Sequence, residues 1–198
     1  MAETRRGRPR SFDREAALEQ ALLTFWEHGY DATSVTDLTT SLGIGAPSLY
    51  AAFGDKRKLF DEVVRRYQDT HGAFTARALA EEPTAGAAIE RILREAASEY
   101  TDPGHARGCL IISATQNTIP ASAEVAEHLR TIRRQNRDVL RERIQADVDA
   151  GLLPDDTDAA ALATFFAATI QGMSQQARDG ASRDDLMAVA TTALRVWG

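Results

Sequence analysis

The chain has one cysteine, Cys109, among 198 residues, so it closes no internal disulfide, and nothing in its composition asks for an oxidising compartment. It has no apolar run of membrane-spanning length, and its arginine-rich amino terminus lacks the apolar stretch of a secretory signal. These absences predict a cytoplasmic protein with no membrane partner. Alternating Val/Ile/Thr segments of strand length are missing too, while alanine is frequent and Gly and Pro fall mostly between periodic stretches, which predicts an all-α fold. Nor is the chain basic: its formal net charge of −6 excludes a general cationic coat for nucleic acid.

The charge is unevenly placed. Residues 1–58 balance eight Lys/Arg against eight Asp/Glu, so the whole deficit lies in the rest of the chain. Within that neutral head, residues 1–10 carry four arginines against Glu3, and Lys56, Arg57 and Lys58 sit together. Those clusters are candidate phosphate contacts.

Between them, residues 34–53 have the period of a helix-turn-helix. Val35, Leu38 and Leu42 share one helical face, Gly43 falls where a reversing chain needs positive φ, and Ile44, Leu49 and Phe53 resume the spacing. Two short helices across a tight turn would hold the second, 46–53, clear of the body and able to enter a major groove. Ser34 and Asp37 have capping-box spacing for the first of the pair. A preceding helix starts at Asp13, turns Leu18, Leu22 and Phe25 inward and ends near Gly29. Gly54 closes the third helix. Asp55 caps a fourth whose apolar stripe, Leu59, Phe60, Val63, Val64 and Tyr67, runs on from head to body, with His71 and Phe74 assigned to the same linking helix. The expected organisation is a basic arm at 1–10, a three-helix DNA-binding head at 11–54 and a larger helical body at 55–198.

In the body, a long helix over 121–149 carries an inward row of Val125, Leu129, Ile132, Asn136, Val139 or Leu140, and Ile144. An amide buried in that row needs a polar partner, either a neighbouring helix or a ligand. The last two helices, 158–178 and 182–197, differ from the rest. Between Ala159 and Met173 apolar residues occur on every side, so this helix must be covered all round, and one chain of this size rarely supplies both covers. An isologous four-helix interface between two copies would bury it, through Ala161, Phe165, Ala168 and Gly172 with Leu186, Val189, Ala190, Ala193 and Trp197. A homodimer is expected.

The string SVTDLTTSLGIGAPSLYAAFGDKRKLF, within residues 11–67, resembles the amino-terminal segment of TetR-family transcriptional regulators. The resemblance implies a three-helix DNA-binding head, a helical body that dimerises through its last two helices, and a small-molecule pocket in each body. It implies repression of a double-stranded DNA operator, relieved by an effector. Carried over by position, Ser34 and Thr36 would meet phosphate, Gly45, Ala46, Pro47, Ser48 and Ala51 would face the groove, and Tyr50 and Lys56 would grip the backbone. Two positions depart from the pattern: Thr39 stands where alanine is common, and Gly45 where Ser or Thr usually caps the recognition helix. Glycine costs only a few tenths of a kcal/mol there, and Pro47 is tolerated in a first turn.

The recognition helix has no Arg, Asn or Gln for bidentate base contacts, so its direct readout is modest. The arm compensates in principle. RRGRPR, residues 5–10, resembles the Arg-Gly-Arg-Pro core of an AT-hook, and Arg6, Arg8 and Arg10 are candidates for an A·T minor groove.

Candidate effector contacts are Tyr67, His71, Phe74, Cys109, Gln116, Asn136, Phe165, Phe166, Thr169 and Met173, although most of the aromatics and Met173 suit the core better than a ligand site. Cys109 is either a redox sensor activated by Arg107 or a small core residue, and the lack of a resolving thiol favours the core. His105 lies in a Pro/Gly loop with no third group evident to orient it for catalysis, so no enzyme is expected. No Cys/His/carboxylate spacing marks a metal site, and no cofactor is expected. The reading is a ligand-responsive, homodimeric repressor of a pseudo-palindromic operator. Its alternatives are an activator or shape-reading DNA-binding protein and, from another class, a helical carrier or enzyme whose hairpin only packs.

Overall fold

A computed structural model of the protein describes residues 12–116 and 119–197, and these form ten α-helices and two short 3-10 turns, with no strand among them. The arm residues Arg6, Arg8 and Arg10 lie outside the described residues.

Helices α1 (Arg14–His28), α2 (Val35–Leu42) and α3 (Ala46–Phe53) form the head. Asp13 caps α1, accepting from the amides of Glu15 and Ala16. Ser34 and Asp37 form the expected capping box on α2. Gly43 takes φ 65°, the left-handed conformation that closes α2 and frees the chain to reverse. Leu18, Leu22 and Phe25 of α1 meet Leu38, Leu49 and Phe53 in one buried core, and Thr24 and Gln20 reach Ser41 to tie α1 to α2.

Helix α4 (Lys56–Asp69) starts at the Asp55 cap and lays Leu59, Phe60, Val63 and Val64 against α1, so the lever shares the core of the head. It is shorter than its apolar stripe suggests. Thr70 turns its hydroxyl back to Arg66 O at 2.7 Å and Gly72 N donates to Tyr67 O at 2.7 Å, which stops the helix. His71 therefore lies in the turn and Phe74 opens a separate α5 (Ala73–Glu81), not the linking helix.

The body adds α6 (Ala85–Glu99), the one-turn α7 (Leu110–Ser113), the long α8 (Ala123–Asp149), α9 (Ala159–Arg178) and α10 (Arg183–Ala193), which ends in a 3-10 turn, Leu194–Trp197. Helix α6 is central, packed by α5, α8, α9 and α10. A buried carboxylate, Asp147, accepts from the first amide of α6 (Ala85 N, 2.6 Å) and from Arg143 (2.8 Å), joining the far end of α8 to the start of α6. At Gly108, φ is 81° and the backbone runs so close to α9 that Cys109 N donates to Ser174 Oγ at 2.9 Å.

Helices α9 and α10 each have one face on their own body and one outside it. On α9, Ala159, Ala163, Phe166, Met173, Ser174 and Ala177 are buried, while Ala161, Phe165, Ala168 and Gly172 are exposed. On α10, the row Leu186, Ala190 and Ala193 is buried within the chain, and only Val189 of the expected interface on this helix is exposed. Leu186, Ala190 and Ala193 are thus core residues facing α6, and Trp197 is half-buried, stacked on Phe166 at 5.3 Å. The expected interface row and the row the body takes are one face of this helix, with Val189 at its edge, and spacing alone does not say whether its cover is the same chain or a second copy.

Candidate functional site

Helix α3 is held by its inward side and presented by its outward one. Leu49 and Phe53 are locked in the core, while Pro47, Ser48, Tyr50 and Ala51 are exposed and Ala46 is half-buried. Tyr50 is 48% exposed, the largest side chain on that surface. Gly45 supplies no side-chain cap, Pro47 in the first turn has no N–H to satisfy, and Ser48 N donates to Gly45 O at 3.0 Å. At the start of α2, Ser34 Oγ accepts from Asp37 N at 3.1 Å, while Ser34 Oγ (2.6 Å) and Ser34 N (2.8 Å) both donate to Asp37 Oδ2 and hold that carboxyl below its ordinary range. Ser34 and Thr36 are both exposed.

Lys56, in the first turn of α4, docks its Nζ 4.2 Å above the ring of Tyr30. Burial holds its pKa below the usual lysine value, against the opposing pull of Asp31 and Asp37. Tyr30 in turn stacks on Phe25 and meets Phe60 edge-on, so the amine is fixed to the head's core. Arg14 closes the other side, its guanidinium 4.6 Å above Phe53 and 2.6 Å from Glu62.

Behind the head, a cavity of about 500 Å³ opens between α4, α5, α7, α8 and α9. Tyr67, Phe74, Cys109 and Asn136 line it, as the sequence suggested, together with Tyr100, Ile112, Arg133 and Ile170. Asn136 is exposed at its rim, not buried in an apolar row, so it needs no structural partner. The remaining candidates are elsewhere. Phe166 and Met173 are fully buried core; Phe165 points outward; Thr169 bonds back to Phe165 O; Gln116 bonds Gln175 at 3.0 Å; and His71 lies at the seam between head and body.

Inside the cavity, burial pushes the Tyr67 and Tyr100 hydroxyls well above the ordinary tyrosine value and raises the Cys109 thiol. Arg107, the expected activator of that thiol, instead donates to Ala177 O and Ala181 O. Cys109 is therefore a packed thiol at a cavity wall. The residue that sequence missed is Arg133. It donates to Ile111 O at 2.6 Å but has no carboxylate within ion-pair distance among the described residues, and burial lowers its pKa. No periodicity marks one arginine among the many of α8 as the one turned inward.

The short α7 joins this cavity to the head. Cys109, Ile111 and Ile112 face the cavity, whereas Ala114 O, just past the helix, accepts from Tyr30 N at 2.9 Å. Asp31 accepts from Ile119 N at 3.1 Å and from the Ser122 hydroxyl.

At the seam, His71, Glu99 and His105 converge. His71 Nδ1 lies 2.8 Å and His105 Nε2 3.1 Å from Glu99 Oε1. His105 Nδ1 also faces Ala106 O at 2.9 Å. Both of its partners can only accept, so His105 makes both bonds as an imidazolium. Burial opposes that charge, but Glu99 and Ala106 outweigh it and raise the pKa; the two histidines in turn hold Glu99 low against its own burial. The ring of His105 lies flat on Trp26 at 4.2 Å. Glu99 is the orienting group that the loop sequence did not reveal.

A three-helix head with an exposed recognition helix, levered to a helical body with its own cavity, is the architecture of a DNA-binding transcriptional regulator. Residues 17–63 match the profile of bacterial regulatory proteins of the tetR family, and residues 85–193 match a tetracyclin repressor-like C-terminal domain. The chain is 38% identical over 193 residues to the HTH-type transcriptional repressor ComR of Escherichia coli (strain K12), covering 97% of this chain and 92% of ComR. It is 31% identical over 188 residues to the repressor BdcR of the same strain, covering 94% and 90%. A cysteine mutant of the TetR family regulator CifR, solved with 26-bp double-strand operator DNA, superposes with a TM-score of 0.92 at 39% identity, over 97% of this chain and 100% of that one. The chain belongs to the tetR family of bacterial regulatory proteins. Among the described residues, no helix is long and apolar enough to cross a membrane.

Proposed function

We propose that the protein represses transcription as a homodimer on a pseudo-palindromic operator and that a small molecule in the body cavity releases it. The observation that carries the reading is the exposed Pro47, Ser48, Tyr50 and Ala51 surface on a helix locked from behind by Leu49 and Phe53. With Gly45, Ala46 and Ser48 at the groove edge, Ser34, Thr36, Tyr50 and Lys56 act on phosphates, and Arg6, Arg8 and Arg10 reach a flanking minor groove. The two recognition helices enter successive major grooves about 34–36 Å apart, or a multiple of that. The names of the relatives support repression, and CifR's complex supports an operator of duplex DNA. The exposed α9 row Ala161, Phe165, Ala168 and Gly172, with Val189 on α10, supports the dimer.

Release follows from position. An effector between α4 and α8 would act on the head through α4 itself and through α7 against Tyr30. A tenfold loss of operator affinity needs only about 1.4 kcal/mol of preference for the non-binding head spacing. Arg133, with no carboxylate partner among the described residues, favours an effector with an anionic group, held in mostly apolar walls.

Operator selection from random DNA followed by gel shift tests the reading. The expected product is a pseudo-palindrome bound far more tightly than random duplex. Tyr50→Phe and Lys56→Ala should weaken all operators similarly, Lys56→Ala also lowering the salt slope by about one, because they touch phosphate. Removal of residues 1–10 should flatten any A·T preference beside each half-site. An affinity for selected DNA no greater than for random duplex would replace repression of a specific operator with shape-reading, which the small recognition surface also permits.

A further inference from the structure

We propose that His71, Glu99 and His105 form a binding site for one divalent first-row transition metal ion, which clamps the end of α4 and the 101–108 loop to the end of α6. Three donors come together from separate segments: the turn after α4, the last residue of α6 and the loop before α7. Two imidazole nitrogens and a carboxylate oxygen lie within 4.8 Å of one another. Four-coordinate ions with bonds of about 2.0–2.2 Å hold their ligand atoms roughly 3.3 Å apart. The two nitrogen-to-Glu99 separations, 2.8 and 3.1 Å, are close to that value already. Only the gap between the two imidazole nitrogens, no more than 4.8 Å, has to close.

The surroundings are those of a supported site. His105 is 94% buried by its side chain, held by the Trp26 ring on one face and by Ala106 O on its far nitrogen. A carbonyl accepting from Nδ1–H is the usual outer support of a ligating histidine, and on binding the ion takes the place of the proton that Nε2 shares with Glu99. Glu19 of α1, held on its other oxygen by Arg66 at 3.1 Å, places a carboxylate oxygen 3.7 Å from His71 Nε2, on the far side of that ring from Glu99. Access comes from a cleft of about 440 Å³ lined by His71, Glu99 and Ser98, leaving room for water on the remaining coordination positions. Two imidazoles and one carboxylate suit zinc, nickel or copper over magnesium or calcium, which prefer all-oxygen sets.

Full-length protein stripped with a chelator is titrated with Zn²⁺ by calorimetry and with Co²⁺ by visible absorption. Trp26 fluorescence is followed in a Trp197→Phe background. The expected result is one ion per chain, ligand-field bands from bound Co²⁺, a Trp26 signal that saturates at the same stoichiometry, and a Tm raised by roughly 5 °C under excess Zn²⁺. His71→Gln and Glu99→Gln should each weaken binding about tenfold or more, while His128→Gln, remote from the cluster, leaves it unchanged. Because the buried His105 ring is part of the packing, His71→Gln decides on its own if the His105→Gln chain does not fold. Absence of a saturable site at one ion per chain, or undiminished binding in folded His71→Gln protein, overturns the proposal. None of these readouts involves DNA, so failure here leaves the operator-binding reading untouched.

Discussion

Arg133 brings a charge to the wall of a mostly apolar cavity. A guanidinium at a cavity wall, with one carbonyl for a partner and burial depressing its pKa, is a charge waiting for a counter-ion. Medium-chain and aryl carboxylates should therefore stabilise the protein against heat more than their primary amides do. At a hundredfold excess over Kd the gain is about 2.7 kcal/mol, or roughly 5–10 °C in a chain of this size. Arg133→Gln should erase the difference between acid and amide; equal stabilisation by both in the unaltered protein would show that the cavity does not select for charge. Much at this scale was legible in sequence. Asp13, Ser34 with Asp37, and Asp55 cap the helices they were assigned to, because a cap is a contact over two or three residues. Arg133 was not, since its distinction is what surrounds it.

At the scale of the element, α7 depends on a close approach. Gly108 has φ 81°, and a Cβ there would stand 2.7 Å from Ser174 O and 2.9 Å from Ser174 Oγ. Gly151 has φ 71° and open space around it. Gly151→Ala should cost only the left-handed backbone penalty, about 1–2 kcal/mol. Gly108→Ala should lower Tm clearly further, because α7 must move off α9 and break the Cys109–Ser174 bond. Equal losses in a thermal melt would mean that the α7–α9 contact is not tight in solution. The helix-turn-helix itself was readable from residues 34–53, where one apolar row and one glycine suffice. The end of α4 was not, because the stripe through Tyr67 suggests continuation while Thr70 and Gly72 stop the helix with bonds back to its last turn.

For the whole molecule, the exposed row of α9 is the surface on which dimerisation is expected. Gly172 has nothing within 4 Å of a Cβ built on it, so a large side chain there leaves the single chain undisturbed. Gly172→Arg should then yield a folded monomer in light scattering, with operator affinity lowered at least a hundredfold, roughly the loss expected when one of two half-sites is no longer held in tandem. A folded variant that stays dimeric would move the interface away from α9. The sequence by itself determined the helices of the head, their caps, the recognition hairpin and the all-α class, since each follows from contacts three or four residues apart that any chain with this spacing must make. Only the tertiary structure decided that the apolar face of α10 is covered by its own body, which arginine of α8 lines the cavity, and that His71, Glu99 and His105 meet. Those are outcomes of how whole helices pack, and no local period in the chain encodes them.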